Sequence, residues 1–210
     1  MLSLILSITG SIFSIVNPLG AIPLFLSLTS DYSGKERFKA SLHTSMYVIA
    51  ILLVSFFIGV HLLSFFGIDI EALKIAGGIV IFLSGFSLLR GKMESSRSVD
   101  RKVKEESMEK DDISFTPMAM PLLAGPGSIS FLINKQSEYS GWTDNLIVSI
   151  SVIIIGVIIF IVLHNSRFLF KVLGRAGLKA MSRIMGFLVM AIGTQYFIGG
   201  IVNLVNGLLT

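Results

Sequence analysis

Two short stretches of the chain combine residues that interrupt a helix with polar groups that can bind a solute. The first, Asn17-Pro18-Leu19-Gly20-Ala21-Ile22-Pro23, lies within an apolar run from Leu2 to Leu28. The second, Pro121-Leu122-Leu123-Ala124-Gly125-Pro126-Gly127-Ser128, lies within the apolar run from Phe115 to Ile133. Proline lacks an amide donor and clashes with the carbonyl four residues earlier, and glycine tolerates dihedrals that other residues avoid. Both helices are therefore expected to break near the middle of their runs.

A helix break at membrane depth indicates a functional site. An unsatisfied backbone group costs several kcal/mol in hydrocarbon, so irregular backbone survives there only inside protein or beside a cavity. Each break also exposes the N-terminus of a half-helix, whose free N–H groups and positive dipole end favour an anionic group by about 0.3–2 kcal/mol. We therefore expect the two breaks to meet near the midplane and to bind a solute that carries a negative group.

The candidate solute-binding residues comprise the two breaks and a polar pair in the last apolar run. They are Asn17, Pro18, Gly20 and Pro23, then Pro121, Gly125, Pro126, Gly127 and Ser128, then Thr194 and Gln195. Asn17 can both donate and accept hydrogen bonds, and Ser128 is placed to cap the second half-helix or to donate to a ligand. Capping the break is the alternative role for both. Thr194 and Gln195 are expected to face the interior, where the alternative is a hydrogen bond between helices.

The absence of charged groups at depth limits the chemistry of this site. The central parts of the apolar runs contain no Asp, Glu, Lys or Arg, the chain has no cysteine, and its histidines, His43, His61 and His164, lie toward helix ends. Divalent metals need several carboxylate or imidazole ligands, and a proton relay needs a buried acid. We therefore expect no catalytic residue, no metal site and no cofactor, and a small neutral or zwitterionic solute as the bound species.

Composition and hydropathy predict an all-α membrane protein. Of the 210 residues, 53% are hydrophobic and 14% are charged, far from the balance of a soluble domain. Six apolar runs approach or exceed the roughly 20 residues that span a bilayer. They are Leu2–Leu28, Ser41–Phe66, Ala72–Leu89, Ser114–Ile133, Asn145–Leu163 and Ile184–Leu209. The runs are continuous and not alternating, which favours six transmembrane helices over a β-barrel.

The basic residues are divided unevenly among the predicted loops. Of the 17 Lys and Arg residues, all but Lys74 and Lys135 fall in the first, third and fifth loops. The positive-inside rule then places these three loops in the cytoplasm and both termini on the outer face. The net charge of +4 is therefore interpreted as a signal for topology and for contact with the lipid bilayer, and no nucleic-acid partner is expected.

A single offset of 108 residues aligns the two halves of the chain. It relates Pro18 to Pro126, and it also relates Gly78 to Gly186 and Gly85 to Gly193. Three spans per half is an odd number, so the halves must have opposite orientations in the bilayer. The sequence thus predicts two inverted three-helix repeats, residues 1–89 and 114–210, joined by a charged cytoplasmic linker over residues 90–113. Glycines at intervals of seven in spans three and six predict close helix packing.

Four motifs together resemble the MarC family of integral membrane proteins. They are Asn17-Pro18-Leu19-Gly20-Ala21-Ile22-Pro23-Leu24-Phe25, Ile75-Ala76-Gly77-Gly78-Ile79, Pro117 to Ile129 and Arg183-Ile184-Met185-Gly186. The resemblance covers nearly the whole chain, and its two broken-helix motifs contain the candidate residues of the breaks without departure. Its SnatA-type branch implies inner-membrane transport of small neutral amino acids such as glycine and alanine, with export as the direction. The oligomeric state is left open, a homo-oligomer included.

Two other functions compete with this interpretation. One is an exporter of an ion or another small solute, which a distant resemblance to LysE-type exporters supports and which sensitivity to a metal would favour. The other is a membrane enzyme or scaffold. No nucleophile, base or metal-ligand motif such as His-Glu-x-x-His occurs in the sequence to support an enzyme.

Overall fold

The computed structural model describes residues 1–90, 113–139 and 141–209, and this part of the chain is helical without strands. Its elements are α1 (Leu2–Val16), α2 (Pro18–Leu28), α3 (Gly34–Phe65), α4 (Ile70–Arg90), α5 (Ser114–Leu123), α6 (Pro126–Glu138), α7 (Trp142–His164) and α8 (Ser166–Leu209). Helices α3, α4, α7 and α8 are long and apolar enough to cross a membrane. The bent pairs α1–α2 and α5–α6 raise the number of candidate spans to six. The prediction of an all-α, multi-pass membrane protein is confirmed.

The first break lies at Asn17, between α1 and α2. Asn17 adopts the left-handed conformation (φ 47°, ψ 63°), which asparagine tolerates better than most residues. Pro18 then occupies the first position of α2, where its missing N–H costs nothing because that position has no intrahelical partner. The two helices differ in direction by 43°. Pro23 lies within α2 and does not interrupt this helix.

The second break separates α5 from α6 with a bend of 64°. Within α5, a π-helical segment, Thr116 and Met120 have extended dihedrals, and each is followed by a proline through a cis peptide bond. A residue before proline is disfavoured in the helical region, which explains both interruptions. Gly125 is extended at the N-cap of α6, and Pro126 takes its first position. Both predicted breaks therefore exist, and each begins a half-helix with proline.

Several predicted helix ends were wrong, because polar residues extend the helices. Most of the loop predicted over residues 134–144 is helical, since α6 continues to Glu138 and α7 begins at Trp142. Helix α3 begins at Gly34 and not at Ser41. Its start is fixed by a capping box, in which the Ser33 N–H donates to Glu36 Oε2 (2.7 Å) and the Glu36 N–H donates to Ser33 Oγ (3.3 Å).

The fifth predicted loop is also helical. Helix α8 begins at Ser166 instead of Ile184 and is interrupted only at Gly174, whose φ of 62° permits a kink. Its basic residues recur every four positions and are exposed in the first half of the helix. These are Arg167, Lys171, Arg175, Lys179 and Arg183. The charged linker predicted over residues 90–113 lies, apart from its end residues, outside the described residues.

Arg37 is buried, with 6% of its surface exposed, although the sequence places it among the loop charges. Its guanidinium donates from Nη2 to the Thr29 carbonyl (2.6 Å) and from Nε to Thr29 Oγ1 (3.2 Å). These bonds satisfy the C-terminal end of α2, where carbonyl groups lack intrahelical donors. Arg37, which lies on α3, thereby joins α3 to the C-terminal end of α2.

Helices α4 and α8 pack backbone to backbone along their glycines. A Cβ atom built on Gly78 would lie 2.8 Å from the Gly193 carbonyl oxygen, and one built on Gly85 would lie 2.6 Å from the Gly186 carbonyl oxygen. Real Cβ atoms do not approach backbone so closely, so only glycine fits at these four positions. The close packing predicted from the seven-residue spacing is confirmed.

The core lies between the broken spans and helices α3 and α7. Phe25, Phe56 and Phe131 are among its largest fully buried side chains. Helix α7 is the most buried of the four long helices, with half of its apolar window inside the protein. Gly156 of α7 faces Ile49 of α3 so closely that any side chain there would overlap it. Helix α7 therefore packs against α3 and against both halves of the first broken span, α1 and α2.

Candidate functional site

The two breaks touch each other. A Cβ atom built on Gly127 would lie 3.5 Å from Ile15 Cγ2, and Ile15 precedes Asn17 by two residues. The other neighbours of Gly127 are Ile81 and Ser84 of α4, at 3.6 and 3.8 Å from the same built atom. The start of α6 therefore fits between the end of α1 and the middle of α4, which brings the two predicted stretches to one place.

At the first break the polar group is the buried amide of Asn17, which is 2% exposed. Its Oδ1 accepts a hydrogen bond from the Gly20 N–H (3.3 Å), so this oxygen caps α2, which is the alternative role considered above. Its Nδ2 has no hydrogen-bond partner among the described residues. Pro18 and Gly20 are also buried, Pro23 is half-buried, and Ser182 Oγ of α8 lies 3.0 Å from a Cβ atom built on Gly20.

Of the candidate residues at the second break, Gly127 and Ser128 are buried. Ser128 Oγ donates to the Gly125 carbonyl (2.9 Å) and does not accept from the start of α6, where no side chain caps the helix. Gly125 is half-buried, whereas Pro121 and Pro126 are exposed. At this break, the groups available to bind a solute are therefore mainly backbone groups.

Both breaks present amide donors near their contact. Proline has no N–H, so the first available amides of the half-helices are those of Leu19 in α2 and Gly127 in α6. Helix geometry leaves the first N–H groups of a helix without intrahelical acceptors. Together with the positive dipole ends, they form an environment that favours a carboxylate or another small anionic group.

A polar cavity of about 390 Å³ lies at the end of the bundle where α1 begins; we call it the vestibule. Its volume is in the range of small-molecule sites. It is lined by α1, α4, α6 and α8 and by Tyr139 just after α6. The residues on the broken spans are Leu4, Ser7, Ile8, Ser11, Phe131, Lys135, Glu138 and Tyr139, and the others are Lys74, Ile192, Gln195, Tyr196, Gly199 and Asn203. Ile15, which contacts Gly127, is one helical turn from Ser11 on α1, so the vestibule ends about one turn from the contact between the breaks.

Three charged side chains line the vestibule and join α4 to α6. Lys135 Nζ lies 2.7 Å from Glu138 Oε2, and Lys74 Nζ lies 3.6 Å from Glu138 Oε1. The Lys135 ammonium also lies 5.2–5.7 Å from the ring centroids of Phe131, Tyr139 and Tyr196, within cation–π distance. The hydroxyl of Tyr196 is buried and has no partner in the described part of the chain.

The two polar residues of the last span are both exposed. Gln195 lines the vestibule and also a shallow apolar groove beside it. Thr194 lines that groove but not the vestibule, and its hydroxyl donates to the Met190 carbonyl (2.9 Å). The expectation that Thr194 faces the interior was wrong. Successive residues rotate by about 100° around a helix axis, so position 194 leaves the glycine face that packs on α4.

Sequence reasoning missed the charged residues of the vestibule. Lys74 and Lys135 were assigned to short outer loops, and Glu138 to a loop that is helical in the structure. A usable signal was the spacing of Lys135 and Glu138, which places opposite charges on one face if the helix continues. In residues 1–90, 113–139 and 141–209, no group of three acidic or histidine side chains could hold a metal ion.

Comparisons with known proteins also indicate an integral membrane protein. The family described as "MarC family integral membrane protein" matches residues 2–205. A UPF0056 membrane protein of Methanocaldococcus jannaschii is 39% identical over 192 residues, which cover 91% of this chain and 93% of the relative. The UPF0056 inner membrane protein MarC of Escherichia coli O157:H7 is 34% identical over 201 residues, 91% of each chain. No solved structure is significantly similar to the chain.

Proposed function

Because the chain belongs to the MarC family of integral membrane proteins, we propose that it is a secondary transporter that moves small neutral amino acids, such as glycine and alanine, across the inner membrane by alternating access. Export is the expected direction. Several relatives are named inner membrane proteins, which supports the location. The substrate class rests on the chemistry of the breaks.

The observation that carries this proposal is the unpaired Asn17 amide. A buried donor without a partner costs about 1–3 kcal/mol, so a side chain that is 2% exposed and lies at a helix break is expected to have a ligand. Nδ2 is a donor, and the nearby N–H groups of Leu19 and Gly127 are donors as well. A solute carboxylate can accept from all three types of group.

The ammonium group of an amino acid requires acceptors. Pro18 and Pro23 lack the N–H that would bind the carbonyls of Ser14 and Leu19 in a regular helix. These two neutral carbonyl groups belong to residues that precede and follow Asn17 in the sequence. Donors and acceptors without net charge match a solute without net charge, which supports a zwitterion over an inorganic ion.

Alternating access requires two halves that can exchange conformations, and the glycine contacts of α4 and α8 support such a pair. The 108-residue offset converts Gly78 into Gly186 and Gly85 into Gly193. The contact of Gly78 with Gly193 is thereby converted into the contact of Gly186 with Gly85, which also exists. This exchange is the property of a two-fold axis between inverted repeats. In the proposal, the vestibule faces outward and the basic loops face the cytoplasm.

The test is counterflow in proteoliposomes that contain the purified protein. Vesicles loaded with unlabelled alanine should accumulate external radiolabelled alanine, and glycine and serine should compete, whereas lysine and glutamate should not. Protein-free vesicles are the control. Absence of counterflow in vesicles with monodisperse, correctly inserted protein, or competition by divalent cations alone, would contradict the proposal and favour the ion exporter.

A further inference from the structure

The charged residues of the vestibule are arranged for a solute that carries both charges. Glu138 uses one carboxylate oxygen for Lys135 at 2.7 Å and turns the other toward Lys74 at 3.6 Å. The first distance is that of a charge-assisted hydrogen bond, and the second is too long for a hydrogen bond. The Lys74–Glu138 pair is therefore the weaker of the two ion pairs.

Lys135 is held in place, which leaves Lys74 as the available cation. The Lys135 ammonium is bound to Glu138 and lies against three aromatic rings. The Lys74 ammonium has only the 3.6 Å contact with Glu138, although its side chain is just 13% exposed. A partly desolvated ammonium with one loose partner gains when a second anion reaches it.

We propose that the vestibule contains an entry site for zwitterionic α-amino acids, in which the solute carboxylate binds Lys74 and the solute ammonium binds Glu138. This inference deepens the proposed function and rests on it. The two charges of an α-amino acid are separated by one carbon atom, so a single solute can bind both partners once it has parted the 3.6 Å contact between Lys74 and Glu138. Insertion replaces one long contact by two charge-assisted hydrogen bonds.

The pairing of Lys74 with Glu138 also predicts which solutes the vestibule selects. A carboxylate without an amine would satisfy Lys74 but would bring its charge against Glu138. An amine without a carboxylate would satisfy Glu138 but would face both lysines. Each mismatch repels, so the pair rejects simple anions and cations before they reach the breaks. The unpaired hydroxyl of Tyr196 and the amide of Gln195 provide further neutral contacts beside the pair.

The test measures equilibrium binding of radiolabelled L-alanine to the full-length protein in nanodiscs. It uses the Asn17→Asp background, in which the site at the breaks is disabled. We expect Lys74→Met and Glu138→Gln each to lower the affinity at least 10-fold. Glu138→Gln should also make propionate compete as well as alanine, and Lys74→Met should do the same for ethylamine. A purely structural role of the ion pair would not produce these opposite changes in selectivity.

Lys171→Met and Asp31→Asn remove exposed charges outside the vestibule and should leave binding unchanged. The entry site would be overturned if the Asn17→Asp protein binds no alanine and if Lys74→Met and Glu138→Gln leave the affinity of the otherwise wild-type protein unchanged. Alanine counterflow by the wild type would then still support the transporter. Absence of counterflow together with intact, pair-dependent alanine binding would reject the transporter and retain the site.

Discussion

Replacing Asn17 by aspartate is expected to lower alanine counterflow by about 10- to 100-fold while the protein still folds. The new carboxylate keeps the oxygen that accepts from the Gly20 N–H, and aspartate is as good an N-cap as asparagine. It replaces the unpaired donor by a second acceptor with a negative charge. The lost hydrogen bond to a solute carboxylate is worth about 1.5–3 kcal/mol, which sets the range of the effect.

Asn17→Gly is the matched variant for this prediction. Glycine adopts the left-handed conformation of position 17 without strain, and as an N-cap it costs only a few tenths of a kcal/mol. It removes the amide without adding a charge, so counterflow should fall less than in Asn17→Asp. Transport by Asn17→Asp at the wild-type rate, in protein of unchanged thermal stability, would show that the Asn17 amide does not contact the solute.

The second large effect concerns stability: Gly193→Ala is expected to lower the unfolding temperature in detergent by roughly 2–12 °C. A Cβ atom at this position would lie 2.7 Å from the Gly78 carbonyl oxygen and would also overlap the backbone of Phe82. Backbone atoms cannot rotate away, so α4 and α8 must separate. Overpacking of this kind costs about 1–3 kcal/mol, and each kcal/mol shifts the midpoint by roughly 2–4 °C for a chain of this size.

Gly10→Ala is the control, because no atom lies within 4 Å of a Cβ atom built on Gly10. Alanine has the higher helix propensity by about 1 kcal/mol, so the unfolding temperature should stay the same or rise. Equal unfolding temperatures for Gly193→Ala and Gly10→Ala would mean that the close contact of α4 with α8 does not exist in the membrane protein.

The sequence predicts best those features that depend on local backbone chemistry. The break at Asn17 follows from the proline that comes next and from the tolerance of asparagine for a positive φ. The break before Pro126 follows in the same way. The contact of α4 with α8 follows from glycine spacing, because only glycine permits backbones to approach to this distance.

Features that depend on distant partners could not be predicted. Arg37 lies among charged residues in the sequence, which predicts an exposed loop position. Its burial is explained only by its hydrogen bonds to the carbonyl and hydroxyl of Thr29. Lys135 and Glu138 end an apolar run in sequence, yet they continue the helix because Lys74 from another helix and three rings stabilise them. The vestibule is therefore visible only when α4, α6 and α8 are brought together.

The contact between the breaks links the site to the mechanism. If a solute passes between Ile15 and Gly127, these residues must separate in each transport cycle. Joining them covalently should then stop transport without unfolding the protein. The natural chain has no cysteine, so a pair introduced at these positions is the only pair that can react.

The most direct measurement is oxidative cross-linking of an Ile15→Cys/Gly127→Cys variant in proteoliposomes, with alanine counterflow recorded before and after reduction. The built Cβ atom of Gly127 lies 3.5 Å from Ile15 Cγ2, which is bonded to Ile15 Cβ, so the two Cβ atoms lie within about 5 Å, near the roughly 3.5–4.5 Å that a disulfide requires. The account predicts an intramolecular cross-link, loss of counterflow, and recovery when a reductant is added, with both single variants active throughout. A pair that does not cross-link while the protein transports alanine, or a cross-linked protein that still transports it, would contradict a solute path between the two broken helices.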